Sequence, residues 1–561
     1  MFDSTTSNLT SSSAWANLIQ DQDAIRFLET TILPPYLNSC RWFAGKARQQ
    51  EHFRIRFVHE IPFRSDSYTA EKAYLIIVEA GYANGETENY LLPLSFIETD
   101  RPDVPDVLPK GIVTTAVFDQ KPGLIVDAIY DERFRQVLYF NLAHQNALAQ
   151  KTGRIVFHRG RGLAAEHIDA EVTSRVLPVD SSNSALVFGV PNQGETYFLK
   201  LYRKLFQETN PEVDLVSFLT EHSHFTHIPA YAGSLIWQQE GVPDVTLGMM
   251  QLMVENQQDS WNQTGDYLND FLYAVPHRLF TIKEDVFDRV ELLGRRTAQM
   301  HLALYSPESN DPSFAPEPFT DDYREFIIRR FESLLERRYT LVIDNYAKLD
   351  PLAQRLAWVF MEAKEMIDEF VNDFRHRPLE SLRIRIHGDY HLGQVLATGN
   401  DFIIIDFEGE PESSISERKI KHSPLKDVAG MIRSYHYAVS AKLFGSTETE
   451  HIDPDHLQRV SERWYKLIRD TYMDAYLETI GSPHPLYKNN SEVNFLLLVY
   501  LLEKAVYELG YEISYRPAWV KIPLKGIMDV IREIEKIRIA DPTRNSDLPL
   551  LQMGLLQTKK E

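Results

Sequence analysis

The sequence predicts an α+β protein with a strand-rich N-lobe, a helical C-lobe and an extra strand-rich cap at the N-terminus. Three observations predict it. Short alternating apolar runs and turn dipeptides dominate the first 255 positions. Runs with helical periodicity dominate from Asp266 onward. Two short strand-like pieces, Leu382 to His387 and Phe402 to Phe407, interrupt those helices. The expected boundaries are 1–130 for the cap, 131–255 for the N-lobe and 256–561 for the C-lobe.

Taken in order, Met1 to Gln20 reads as a frayed tail, and Asp21 to Tyr36 as a helix stopped by Pro34-Pro35. Glu51 to Glu60 alternates, with Phe53, Ile55 and Phe57 on one face. Ala73 to Ala80 and Tyr90 to Phe96 flank Asn84-Gly85, and Gly111 to Phe118 and Leu124 to Ala128 flank Lys121-Pro122-Gly123. The N-lobe strands are Arg154 to His158, Leu186 to Val190, Thr196 to Tyr202 and Leu247 to Val254, with a helix opening at Asn210-Pro211. The C-lobe helices are Asp285 to Tyr305, Asp321 to Tyr346, Leu352 to Phe374, Leu425 to Phe444, Pro454 to Ile480, Ser491 to Tyr511 and Leu524 to Ala540.

Hydrophobic residues are 43% and charged residues 25% of the 561, which is ordinary globular usage and excludes a wholly disordered chain. The net charge of −21 argues against nucleic acid and anionic membrane surfaces as partners, while leaving room for one basic pocket. A single cysteine, Cys40, excludes an intrachain disulfide and a cysteine-based metal cluster, and suits a reducing cytoplasm. The first residues carry no leader pattern, and the longest apolar run, Phe495 to Leu502, is far short of the ~20 residues that span a bilayer. The expectation is a soluble cytoplasmic protein.

The stretch from Ile384 to Pro411 carries the chemistry. A strand ends at His387, Gly388 permits a tight turn, and Asp389 is presented on a loop with Gln394 five positions on. A second strand delivers Asp406 at its end, 17 positions after Asp389. Phosphoryl transfer needs one carboxylate to orient the attacking hydroxyl and accept its proton, and oxygen ligands to hold Mg²⁺ against the phosphates. An Asp with an amide at +5, followed by a strand-borne Asp-Phe, meets both needs in the spacing of the protein-kinase catalytic and metal loops. Gly388 stands where that pattern has Arg, and Gln394 where it has Asn.

The first half should then supply a phosphate-covering turn and a lysine on a strand. Asp180-Ser181-Ser182-Asn183-Ser184 is a tight polar turn between strands, though not a glycine-rich loop. Lys200 lies mid-strand, where burial demands an anionic partner, and the next helix offers Glu212, Asp214 and Glu221. Leu247 to Val254, with Gln251 and Val254, reads as the hinge strand whose backbone groups bind adenine.

These residues resemble the bacterial maltokinases, of the aminoglycoside-phosphotransferase and protein-kinase-like superfamily. The resemblance lies in Arg41 to Lys46, Ser182 to Ser184 with Leu199 to Lys204 and Asn210-Pro211, Gly294 to Ala298 with His301-Leu302, His387 to Leu396, Asp406 to Pro411, Ser423 to Leu425 with Asp427 to Met431, and Leu502 to Glu508 with Arg516 to Val520 and Ile522 to Leu524. It implies a bilobal kinase-like fold with ATP in the cleft. It also implies ATP- and Mg²⁺-dependent phosphorylation of the anomeric hydroxyl of maltose to maltose 1-phosphate, feeding trehalose and α-glucan metabolism. By carry-over, Asp389 is the catalytic base, Gln394 and Asp406 hold Mg²⁺, and Lys200 contacts the phosphates; the turn Ser182, Asn183 and Ser184 offers hydroxyl, amide and backbone N–H groups to cover them. Asp214 falls on the family's helix carboxylate, with Glu212 as the alternative.

The same resemblance places the sugar on Lys504, Tyr507, Glu508, Tyr511, Glu512, Arg516 and Trp519, a mixture of hydrogen-bonding and aromatic groups suited to a disaccharide. Read without it, the set is equally a solvated face with an aromatic edge. His391 serves either as support for the catalytic loop or as a substrate donor. Glu408 and Glu410 serve a second metal, the sugar or an acidic turn. Trp42 and Lys46 shape the cap rather than do chemistry. The nearest alternative activity is phosphorylation of another sugar, such as glucosamine; an alternative of another class is a non-catalytic sugar- or nucleotide-binding regulator. A trehalose synthase partner would be a separate chain, because no (β/α)₈ pattern occurs here.

Overall fold

The computed structural model describes residues 8–63, 71–99, 109–150, 153–178, 182–275, 282–445 and 452–539. The chain divides into two compact units, Met1–Val254 and Glu255–Glu561. The tail from Ala540 to Glu561 and the pair Asp180-Ser181 lie outside the described residues.

Two sheets build the first unit. The first sheet contains β1 (Leu9–Ser11), β2 (Gln50–Pro62), β3 (Lys72–Tyr82), β4 (Thr87–Glu98), β5 (Ile112–Phe118) and β6 (Lys121–Asp127), in the order β1-β5-β6-β4-β3-β2. Two helices, α1 (Gln22–Phe27) and α2 (Leu33–Ser39), cover it. Leu18, Leu28, Leu33, Leu37 and Phe43 pack with Tyr74, Ile76, Val78 and Leu92, all essentially sealed from solvent. Each such side chain contributes roughly 1.5–3 kcal/mol of transfer free energy. Pro34-Pro35 does not stop the helix as expected. A π turn over Leu28–Ile32 resets the chain, and the prolines sit in the first turn of α2, where a missing N–H costs no hydrogen bond.

The second sheet contains β7 (Ala147–Gln150), β8 (Gly153–Arg159), β9 (Thr173–Leu177), β10 (Ser184–Val190), β11 (Gly194–Leu201), β13 (Tyr231–Gln239) and β14 (Val242–Leu252), in the antiparallel order β7-β8-β13-β14-β11-β10-β9. Directly after β11, the short β12 (Lys204–Leu205) leaves this sheet and pairs with β4 of the first one. Helices α3 (Glu132–Ala143) and α4 (Pro211–His222) complete the unit. The sequence pattern missed β13 because its first seven residues are buried and show no alternation.

Helices dominate the second unit: α5 (Ser260–Ala274), α6 (Glu284–Leu304), α7 (Asp321–Asn345), α8 (Pro351–Glu362), α9 (Lys364–His376), α10 (Ile415–Arg418), α11 (Leu425–Gly445), α12 (Pro454–Ile480), α13 (Asn490–Tyr515) and α14 (Lys521–Ile539). The expected single helix from Leu352 to Phe374 is two, parted at Ala363, whose ψ opens to 4°. Two small sheets carry the site loops: β15 (Gln258–Asp259) with β18 (Val395–Thr398) and β19 (Asp401–Ile404), and β16 (Glu317–Pro318) with β17 (Leu382–Arg383). The strand expected over Leu382 to His387 is regular only in β17, and Ile384 then bridges His422. No helix among the described residues is long and apolar enough to cross a membrane.

Candidate active site

In the first unit, Lys200 sits on β11, and its Nζ donates to Glu212 Oε2 at 3.0 Å. Tyr202, on the same face two residues on, donates its hydroxyl to the same oxygen at 2.7 Å. Glu212 is presented by the first turn of α4. Asn210 caps that helix by accepting from Glu212 N at 2.8 Å and is itself held by Thr246 Oγ1 at 2.9 Å. The carboxylate that takes the lysine is therefore Glu212, the alternative reading. Asp214, two residues further, accepts from Thr209 Oγ1 at 3.5 Å. Ser184 opens β10 opposite Leu201, so the turn Ser182-Asn183 lies at the Lys200 end of this hairpin.

In the second unit, the loop after β17 turns at Gly388, whose φ of 88° suits glycine. A Cβ there would also stand 3.1 Å from the Cα of Gly409 on the neighbouring loop. Asp427 pins the turn from beneath. Its two oxygens accept from His387 N at 2.8 Å and Gly388 N at 2.9 Å, and it also faces His301 Nε2 at 3.2 Å. Burial would raise the pKa of Asp427, but the His301 bond and charge and these backbone donors outweigh it and hold it below the usual value. His387 Nε2 faces Ile405 O at 2.9 Å, tying this loop to the residue just after β19.

Lys504 on α13 donates to Asp389 Oδ1 at 3.2 Å, and His391 Nε2 stands 3.9 Å from Asp389 Oδ2. His391 Nδ1 accepts from Gly393 N at 3.1 Å, so Nε2 carries the ring proton. Burial, then Lys504 and His387, depress the His391 pKa against the pull of Asp389 and Asp406. Burial also opposes charge on Lys504, but Asp389, Glu410 and Glu508 outweigh it and raise its pKa. Gln394 Nε2 donates to Asp406 Oδ2 at 3.0 Å. Asp406 has a φ of 66°, a region costly for a side chain with a Cβ and often kept at functional positions. A carboxylate and a carboxamide oxygen are donors of the hard kind that Mg²⁺ takes.

Beside this loop lies a cavity of about 330 Å³, whose wall includes Gly388, Tyr390, Lys504, Tyr507, Glu410 and Lys426. Lys426 Nζ stands 3.8 Å from Glu410 Oε1 and 3.6 Å from Glu503 Oε1, and Arg330 donates to Glu410 Oε2 at 3.1 Å. Burial would lower the Lys426 pKa, but these glutamates raise it; burial would raise that of Glu410, but Lys426, Lys504 and Arg330 lower it. Five cationic side chains (Arg330, Arg337, Arg338, Lys426 and Lys504) and four acidic ones (Glu410, Glu412, Glu417 and Glu503) line the cavity.

Residues 36–131 match the family described as the maltokinase N-terminal cap domain. The chain carries a maltokinase-type cap. Two glucosamine kinases are among its relatives. That of Streptacidiphilus jiangxiensis is 25% identical over 361 residues, covering 64% of this chain and 74% of the relative. That of Mycolicibacterium smegmatis is 34% identical over 142 residues, covering 24% of this chain and 32% of the relative. A solved glucosamine kinase in complex with glucosamine, ADP and inorganic phosphate covers 88% of this chain and 98% of its own, with a TM-score of 0.60 at 16% identity. A second, in crystal form A, gives a TM-score of 0.58 at 18% identity, covering 86% of this chain and 92% of its own. The maltokinase-type cap thus sits on a chain with a kinase-like fold related to sugar kinases.

The structure brings together Asp389, His391, Gln394 and Asp406, with Lys504 and Tyr507 on the cavity wall. Glu408 follows on the loop after Asp406, where its backbone carbonyl accepts from Arg418 at 3.4 Å. It does not bring the rest of the expected sugar set to that cavity. Glu508 turns onto Arg433 of α11, whose Nε donates at 3.0 Å. Glu512 accepts from Tyr437 at 3.0 Å and Arg516 at 2.7 Å. Arg516 lies over the rings of Tyr511 and Trp519, at 5.1 and 4.9 Å, as a stack at the end of α13. Gln251 pairs with Phe198 and Tyr231 within the sheet, and Val254 lies just beyond β14, half-buried. Lys426, Glu503, Arg330, Asp427 and His301 were missed as site residues. The signal available for His301, Asp427 and Glu503 was membership in the matching family blocks; Lys426 falls between two of them, and Arg330 lies in a helix to which the sequence assigned no role.

Proposed function

We propose that this chain is a sugar kinase that transfers the γ-phosphoryl group of ATP to the anomeric hydroxyl of maltose, giving maltose 1-phosphate and ADP. The Asp389–Lys504 pair beside a cavity lined by both cationic and acidic side chains carries the reading. Lys504 fixes Asp389 Oδ1 and leaves Oδ2 to orient the attacking hydroxyl. The anomeric oxygen forms the new bond to phosphorus, the bond to the bridging oxygen of ADP breaks, and the hydroxyl proton passes to Asp389. His391, with its proton on Nε2, supports the developing geometry beside Oδ2. In the nucleotide half, Glu212 and Tyr202 orient Lys200 toward ATP phosphates. Gln394 and Asp406 would hold Mg²⁺, which neutralises phosphate charge when bound.

Two observations support a neutral saccharide over an amino sugar. The cap family is named for maltokinases, and Glu410 and Glu503 of the cavity already face Arg330 and Lys426. An ammonium group would compete with Arg330 and Lys426 for those two carboxylates. The names of the relatives favour the second reading, glucosamine as acceptor. Sugar-dependent ADP release with maltose, glucose and glucosamine, followed by identification of the product, tests both. Maltose should give the highest kcat/KM; a higher value for glucosamine overturns the acceptor, and no sugar-dependent ADP release overturns the kinase.

A further inference from the structure

Arg203 is completely buried, and its guanidinium joins three separate segments of the first unit. Nε donates to Ser184 Oγ at 2.7 Å, at the start of β10 and directly after the turn Ser182-Asn183. One terminal nitrogen donates to Leu91 O on β4 at 3.2 Å, and the other to Asp127 at the end of β6. Its face lies 4.8 Å from the ring of Trp42, which the cap motif supplies and which no chemistry absorbed. Trp42 in turn packs against Tyr90 at 6.1 Å. The backbone is tied to the same place, because Leu91 N donates to Arg203 O at 2.7 Å.

The chain direction makes this arrangement consequential. Lys200 and Tyr202 face Glu212, and Arg203 follows immediately, before β12 joins the cap sheet beside Tyr90 and Asn89. One strand therefore carries the nucleotide lysine in one sheet and is locked into the other sheet three residues later. Ser184, expected as a phosphate contact, accepts from Arg203 through its hydroxyl oxygen, which leaves its O–H to donate.

We propose that Arg203 is a positioning residue for nucleotide binding. It anchors Ser184, and with it the Ser182-Asn183 turn, to the Trp42 and Asp127 surface of the cap, so the cap sets the affinity for ATP. This rests on the kinase reading above. The full-length chain is compared with Ser184→Ala, Trp42→Leu and Arg203→Lys; the last keeps a cation for Asp127. ADP affinity by calorimetry, KM for ATP, KM for the sugar and thermal midpoint are measured for each.

All three variants should raise KM for ATP and weaken ADP binding by about 5- to 50-fold, below the ~100-fold of a full ångström of misplacement. KM for the sugar should stay within twofold, and Ser184→Ala combined with Arg203→Lys should be no worse than Arg203→Lys alone. Three results overturn the proposal: folded variants with unchanged nucleotide affinity, a Ser184→Ala effect without a Trp42→Leu effect, or additive losses in the double variant. Wild-type protein that binds no nucleotide would instead overturn the kinase reading itself.

Discussion

The side-chain amide of Gln394 donates to Asp406 Oδ2 at 3.0 Å. Two groups assigned to one metal thus already sit within bonding distance, and binding requires the amide to turn its oxygen toward the ion. Gln394→Leu should therefore raise the Mg²⁺ concentration for half-maximal rate and cost at least about 100-fold in kcat, whereas Gln394→Asn, which keeps the oxygen, should cost less. Titration of rate against Mg²⁺ checks this; a Gln394→Leu enzyme with wild-type metal dependence refutes the assignment.

Asp406 is held at a φ of 66°. Asp406→Gly should abolish turnover yet leave stability unchanged or raise it by up to ~1 kcal/mol, because glycine meets no Cβ clash there. Denaturant melts alongside activity separate the two effects. Loss of stability with retained activity would contradict both readings.

Asp427 holds the turn before Asp389 through His387 N and Gly388 N. Asp427→Asn keeps the shape but turns an acceptor into a donor facing an N–H. It should destabilise by about 2–4 kcal/mol and lower kcat by roughly 100-fold with little change in either KM. A wild-type kcat in folded Asp427→Asn would remove Asp427 from the account.

The cavity charge balance predicts a specificity change. Lys426→Met leaves Glu410 and Glu503 with one cation fewer. The ratio of kcat/KM for glucosamine to that for maltose should rise about 10-fold, which is ~1.4 kcal/mol of discrimination. The ratio is insensitive to the fraction of folded enzyme, so an unchanged ratio counts against the electrostatic reading.

Stability should depend on pH through a buried histidine in the first sheet. His59 is fully buried against Trp237, with neither ring nitrogen hydrogen-bonded, and burial lowers its pKa to about 4. The unfolded chain takes up this proton near pH 6.5 and the folded one only near 4. The stability is therefore complete above pH 6.5 and falls as pH drops toward 4, by up to ~3 kcal/mol. His59→Phe should flatten that part of the stability profile. A mutant profile as steep as the wild type would show that other groups carry the acid loss.

The proximity of the candidate site residues on the loop after β17 was legible because its parts are local. Asp389, Gln394 and Asp406 lie on one hairpin-like segment, and their spacing alone implies proximity. Lys200 was legible as a strand lysine, but its partner was not. The choice of Glu212 over Asp214 depends on how Asn210 caps α4, which sets the rotation of the first turn. The cavity was poorly legible because α7, the Glu410 loop, α11 and α13 each contribute side chains to it. On α13, Lys504 and Glu508 are one turn apart, yet Lys504 reaches Asp389 and Glu508 reaches Arg433. Helical spacing placed them together, and only packing against two different neighbours separates them.

Asp389→Asn tests the central claim most directly. ³¹P NMR of reactions with ATP, Mg²⁺ and saturating maltose should show a new anomeric phosphate for the wild type. The variant should bind ATP within twofold of wild type and lose at least about 100-fold in turnover. A variant that forms the same phosphate at a comparable rate would contradict the assignment of this carboxylate and the mechanism built on it.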